Sequence, residues 1–89
     1  MHAEQVLDYN EDPGYLAEQM LYRLSLEAQS QLERAGLSKR EVIRRLGTSA
    51  PQLYRLLDQR NTRKSIGQML ALLGVLGCEV DVAVRRKSA

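Results

Sequence analysis

The sequence predicts an all-α fold, a compact bundle of about four to five helices, followed by one C-terminal β-strand that pairs across a dimer. Three observations predict it. Leu16, Met20, Leu24, Ala28 and Leu32 recur every four residues and lay an apolar stripe along one helix. Ser38 with Glu41, Ser49 with Gln52 and Ser65 with Gln68 each stand three residues apart at the head of an apolar run, the spacing of a reciprocal N-terminal cap. Beyond Gly77 the period falls to two, because Val80, Val82 and Val84 alternate with Glu79, Asp81 and Ala83.

Taken in order, residues 1–11 have no apolar period and read as a flexible acidic segment. Asp12-Pro13 starts the first helix: Asp suits the N-cap, and a Pro at the first position lacks an N–H that would be unpaired there anyway. The stripe, flanked by Leu21 and Ala35, runs to Gly36 and leaves Glu18, Arg23, Glu27, Gln31 and Glu33 on the polar side. A second helix follows Ser38, with Val42, Ile43 and Leu46 inward and Lys39, Arg40, Arg44 and Arg45 outward. After Gly47 a third helix turns Leu53, Leu56 and Leu57 inward. Asp58 to Lys64 is a polar loop. From Ser65 the run Ile66, Met69, Leu70, Leu72, Leu73 and Leu76 is apolar almost all round, predicting the most buried helix. Gly67 and Gly74 within it predict a close approach of neighbouring helices, since each costs about 1 kcal/mol relative to Ala. The alternating segment opens residues 78–89, which end in a basic tail (Arg85, Arg86, Lys87). One strand has no partner within the chain, so its unpaired edge calls for the same strand of a second copy. The expected organisation is thus a segment 1–11, a helical domain 12–77 and a dimerisation strand with tail 78–89.

Length and charge narrow the class. A chain of 89 residues forms one small domain, and at that size only somewhat more than about 60% of the unfolded surface is buried, so a partner subunit helps. The net charge of +2 hides an asymmetry: residues 1–36 carry two basic against seven acidic side chains, and residues 37–89 carry eleven basic against four acidic. A basic half attracts polyanions such as DNA. Chance placement of surface charge is the competing explanation. No apolar run reaches the length of a membrane span, and no signal-peptide pattern opens the chain, so a cytoplasmic location is expected. The single Cys78 fits a reducing compartment.

Two short amphipathic helices joined through a Gly-containing turn, as residues 38–57 predict, make a helix-turn-helix, whose second helix enters the DNA major groove. Asp12-Pro13, Leu37-Ser38-Lys39-Arg40-Glu41-Val42, Leu46-Gly47-Thr48-Ser49, and Leu76-Gly77 before Cys78–Val84 together resemble the Xre/Cro-type, lambda-repressor-like helix-turn-helix family. Within it they are most similar to HigA-like antitoxins of toxin–antitoxin pairs. The resemblance extends over most of the chain and departs at Ile43, where the family usually has a small residue. A bulkier side chain there alters how the two helices cross.

Several roles follow from that resemblance. Ser49, Ala50, Pro51, Gln52 and Arg55 become base-reading positions, with Arg55 suited to guanine, Gln52 to adenine and Ala50 to a thymine methyl. Tyr54, Lys39, Arg40, Thr48, Arg60, Arg63 and Lys64 become contacts to the DNA backbone. Val80, Val82 and Val84 become the dimerisation strand. Gln52 has a second reading, as a capping residue only, and Arg55 has one as the ion-pair partner of Asp58. The implied partners are an inverted-repeat operator in double-stranded DNA, a second copy of the chain and a cognate toxin, for which the acidic residues 1–36 offer a surface. No cofactor or metal is implied. A stand-alone Cro-like regulator and a protein-interaction module with a helix-turn-helix that does not bind DNA are the alternatives. Catalysis is not expected: His2 stands alone in the first segment, Cys78 has no His near it, and no Gly-rich phosphate loop or Cys-x-x-Cys occurs.

Overall fold

The computed structural model describes residues 12–87. Among them four helices follow one another: α1 (Pro13–Ala35), α2 (Lys39–Leu46), α3 (Ala50–Leu57) and α4 (Ile66–Val75). The flexible segment expected over residues 1–11 and the last two residues of the basic tail lie outside the described residues.

Helix starts fall where the caps predict. Asp12 Oδ1 accepts from the Gly14 and Tyr15 N–H groups at 3.1 and 3.2 Å, with Pro13 in the first turn. Ser38, Ser49 and Ser65 accept from the backbone N–H of Glu41, Gln52 and Gln68. Only the last of these is a complete capping box, in which Gln68 Oε1 accepts from the Ser65 N–H in return at 2.9 Å. The other two are half-boxes. The Glu41 carboxylate is held instead by Arg44 and Arg45 one turn on, through three charge-assisted bonds that outcompete a neutral N–H. α2 stops at Gly47, which takes the left-handed conformation at φ 70° and lets the Gly47 and Thr48 N–H groups both donate to the Ile43 carbonyl.

All four helices contribute to one core: Leu21 and Ala28 from α1, Val42 from α2, Leu53, Leu56 and Leu57 from α3, and Met69, Leu72 and Leu73 from α4, with Leu76 just beyond it. α1 lies against α3 and α4, and α2 packs on the same two helices. Ile43 sits half-buried at the edge of this core. The buried line of α1 is rotated from the expected stripe. It runs Leu21, Ser25, Ala28, with Leu24 and Leu32 at its borders, and Met20 is exposed. A strict four-residue repeat drifts about 40° per step around a helix of 3.6 residues per turn, so its ends leave the face that its middle occupies. Ser25 enters the core because its Oγ donates to the Leu21 carbonyl at 2.7 Å and so carries no unpaired polar atom inward.

Two expectations are corrected. α4 is not buried all round: Met69, Leu72 and Leu73 face inward, while Ile66, Gly67, Gln68, Leu70, Ala71 and Gly74 are exposed. Gly67 and Gly74 mark no close helix approach within the chain. A Cβ on Gly74 would meet nothing within 4 Å, and one on Gly67 only its own cap at 3.8 Å. The second correction concerns the strand. Residues 78–87 have no regular secondary structure, and Val82 and Val84 are almost fully exposed. One alternating segment finds no second strand among the described residues to receive its hydrogen bonds, so alternation alone does not make a ladder. No helix among the described residues is long and apolar enough to cross a membrane.

Candidate nucleic-acid interface

α3 is anchored from inside by Leu53, Leu56 and Leu57, all buried, and this fixes what it turns outward. Ala50, Pro51, Tyr54 and Arg55 share the exposed face, and Gln52 stands half-buried at its border. The face contains no carboxylate. It begins at a helix N-terminus, where unpaired N–H groups and the helix dipole favour an anion. Ser49 and the half-buried Thr48 stand at that end, with the Ser49 Oγ engaged by the Gln52 N–H at 3.3 Å.

The two alternative roles weighed for these side chains are not formed. Gln52 makes no return bond to the Ser49 backbone, so its amide is not used in capping. Asp58 pairs with Arg60, at 3.5 Å, and not with Arg55. The Arg60 N–H, at 3.0 Å, is the main reason the Asp58 carboxyl is held below the usual carboxylate range.

Basic groups flank the face. The Lys39 ammonium lies 5.1 Å from the centre of the Tyr54 ring, a cation–π contact that ties the start of α2 to the outer side of α3. Arg40 is exposed beside it in sequence. Further along α2, Glu41 Oε2 accepts from Arg45 Nε at 2.6 Å while Arg44 Nε donates to Glu41 Oε1 at 3.1 Å. The bonds from Arg44 and then Arg45 bring the Glu41 carboxyl down to about 2, so Glu41 offsets part of the charge on this side of α2. Beyond α3, Arg60 and Arg63 are exposed in a loop shaped by local side-chain turns, in which the Arg63 N–H donates to Asn61 Oδ1 at 2.9 Å.

Lys64 is placed differently. It is 6% exposed, and its ammonium donates to the Leu56 and Asp58 carbonyls, each at 2.7 Å. Burial lowers its proton affinity below that of an ordinary lysine, with the Asp58 carboxylate opposing the shift. A head group turned inward onto α3 is not presented beside the other cations. Its place is the C-terminal end of α3, where the last carbonyls lack helical partners. Two more side chains meet there: Asn61 Nδ2 donates to the Arg55 carbonyl at 3.2 Å, and Gln29 Nε2 of α1 donates to the Leu57 carbonyl at 2.5 Å and to Gln59 Oε1 at 2.8 Å. Residues 55 to 58 thus have every carbonyl tied to a side chain from elsewhere, which fixes the tilt of α3 on the bundle.

Sequence reasoning missed this clamp. A lysine or asparagine just past a helix C-terminus is a usable signal for it, but Gln29, in the middle of α1, carries none. Between α1 and α3 lies an open groove of about 600 Å³, where Glu33 and Asp58 stand with Lys39 and Tyr54. A smaller cleft of about 220 Å³ separates Thr48 and Gln52 from Gln68 and Ala71 of α4. Among the described residues no group of three or more His, Cys, Asp or Glu gathers to hold a metal ion. Val80, Val82 and Val84 lie in the C-terminal segment, outside the α2–α3 unit. No protein-family model matches the chain, and no curated protein or solved structure is similar to it.

Proposed function

We propose that this chain is a dimeric, sequence-specific DNA-binding repressor of the Xre/Cro helix-turn-helix type, serving as the antitoxin of a toxin–antitoxin pair and controlling its own operon. The observation that carries the DNA-binding reading is the outward face of α3. Ala50, Pro51, Tyr54 and Arg55 project together from a helix held by three buried leucines and a four-carbonyl clamp. In a major groove, Arg55 donates two hydrogen bonds to guanine, and Gln52, at the edge of the face, pairs with adenine. Lys39, Arg40, Arg60 and Arg63 neutralise phosphates on either side, and Tyr54 reaches sugar or phosphate. Lys64 belongs to the clamp and makes no phosphate contact.

Two copies related by a two-fold axis read an inverted repeat with half-sites about 34 Å apart. Val80, Val82 and Val84, all exposed, would pair with their symmetry mates across that axis. The toxin-binding role has a weaker support, the surface of α1, where Met20, Tyr22 and Leu26 are exposed among Glu18, Arg23 and Glu27 and carboxylates outnumber arginines by one along the helix. Apolar side chains bordered by carboxylates suit a basic protein partner.

Salt dependence tests the DNA reading. Duplex affinity should fall linearly with salt on logarithmic axes, and Arg63→Ala should flatten the slope by about one unit. Lys64→Met, measured where the variant is fully folded, should leave the slope unchanged. A duplex affinity indifferent to both salt and Arg63 would overturn the reading.

A further inference from the structure

The groove of about 600 Å³ between α1 and α3 has the size of a small-molecule site. Leu32, Leu37 and Leu57 give it an apolar lining, and α1, α2 and α3 each add a charged or aromatic group. The contacts between the helices define its two ends. Gln29 of α1 reaches the Leu57 carbonyl at the end of α3, while Lys39, at the start of α2, meets Tyr54 one turn earlier on α3. Glu33 follows Gln29 by one turn, and Asp58 follows Tyr54 by one turn. Asp58 therefore belongs to the Gln29 end of the groove and Glu33 to the Tyr54 end. One turn separates these ends, about 6 Å along the helix axis.

This lining selects a cation. The Tyr54 ring already takes one, the Lys39 ammonium at 5.1 Å. Glu33 is exposed and holds no ion pair among the described residues. Asp58 faces Arg60 at 3.5 Å in an exposed pair, of the kind that contributes little and yields to a closer cation. Among the lining residues the carboxylates Glu33 and Asp58 stand against Lys39 alone, with leucines between them. We propose that the groove binds a linear aliphatic diamine, with one ammonium at Glu33 and the Tyr54 ring, the other at Asp58, and the methylenes along Leu32 and Leu57. The nitrogens of putrescine, the four-carbon diamine, stand about one helical turn apart, which matches the separation of the two ends. A monoamine leaves one carboxylate unmatched, and an inorganic dication leaves the leucines in contact with water. The site stands apart from the duplex-binding reading. Where that reading holds, an occupied groove also acts on it, because Gln29, Gln59 and Asp58 all belong to the constraints on the end of α3.

Two-dimensional amide NMR of the full chain without DNA provides the test, so a failure of the DNA reading leaves it interpretable. Putrescine, butylamine and magnesium chloride are titrated at low ionic strength into the wild type, Glu33→Gln and Glu18→Gln. Glu18 is an exposed carboxylate on α1 outside the groove. With putrescine, the wild type and Glu18→Gln should show the same saturable shifts, centred on the amides of Glu33, Tyr54 and Asp58. Glu33→Gln should weaken putrescine binding about tenfold, and butylamine should bind the wild type about tenfold more weakly than the diamine, each the loss of one charge-assisted contact. No saturable shift, an undiminished affinity in Glu33→Gln, or the same pattern from magnesium would overturn the site. Butylamine binding as tightly as putrescine would overturn the assignment to a diamine.

Discussion

α3 and α4 differ least where they touch the core and most where they do not. Each opens with a serine N-cap and buries three apolar side chains: Leu53, Leu56 and Leu57 from α3, Met69, Leu72 and Leu73 from α4. Outside, α3 presents Tyr54 and Arg55, while α4 presents Ile66, Leu70 and two glycines. Their ends differ as well. The final carbonyls of α3 are held by Gln29, Asn61 and Lys64. Those of α4 are closed by the chain's own backbone, with the Leu76, Gly77 and Cys78 N–H groups donating to Leu72, Gly74 and Leu73. The inner faces are equivalent parts of one core, and the outer faces and end constraints set the two helices apart. The groove-reading role proposed for α3 calls for the fixed tilt that its clamped end supplies.

Substitutions at the two ends test that difference. Lys64→Met should have the largest effect, destabilising the fold by about 1–3 kcal/mol because the Leu56 carbonyl loses its donor in a buried place and the Asp58 carbonyl is left with the Asn61 N–H alone. Urea denaturation measures it, and a cost near zero would mean that the clamp contributes nothing to holding α3. Gly77→Ala should cost about 1–2 kcal/mol, since Gly77 sits at φ 86° with open space around it, leaving backbone strain as the whole penalty. Gly74→Ala should do the opposite and stabilise by about 1 kcal/mol. A destabilised Gly74→Ala would show that the open space beside this glycine is not free to take a methyl group.

The sequence carries much of this arrangement, unevenly. Helix starts are legible because a cap is a local event: Asp12, Ser38, Ser49 and Ser65 all stand where they are expected. The outward face of α3 is legible for the same reason, since three leucines at helical spacing leave Tyr54 and Arg55 only one direction to point. The rotated face of α1 is not, because which of two neighbouring stripes is buried depends on where α3 and α4 lie. Lys64 shows the limit most clearly. In sequence it is one more cation in a basic loop, and only the return of that loop onto α3 makes it a structural donor. The alternating valines state a preference for extended chain, but a strand requires a neighbour, and the described residues supply none.

The central claim is that Arg55 and the face around it read base pairs. Fluorescence anisotropy tests it most directly, with the wild type and Arg55→Ala titrated against the chain's own upstream DNA and a scrambled duplex over a salt series. The account predicts preference for the upstream DNA in the wild type and loss of about 1–3 kcal/mol of that preference in Arg55→Ala, with a steep salt slope remaining in both. Equal affinity of the wild type for the two duplexes, or a preference that survives the loss of Arg55, would contradict it.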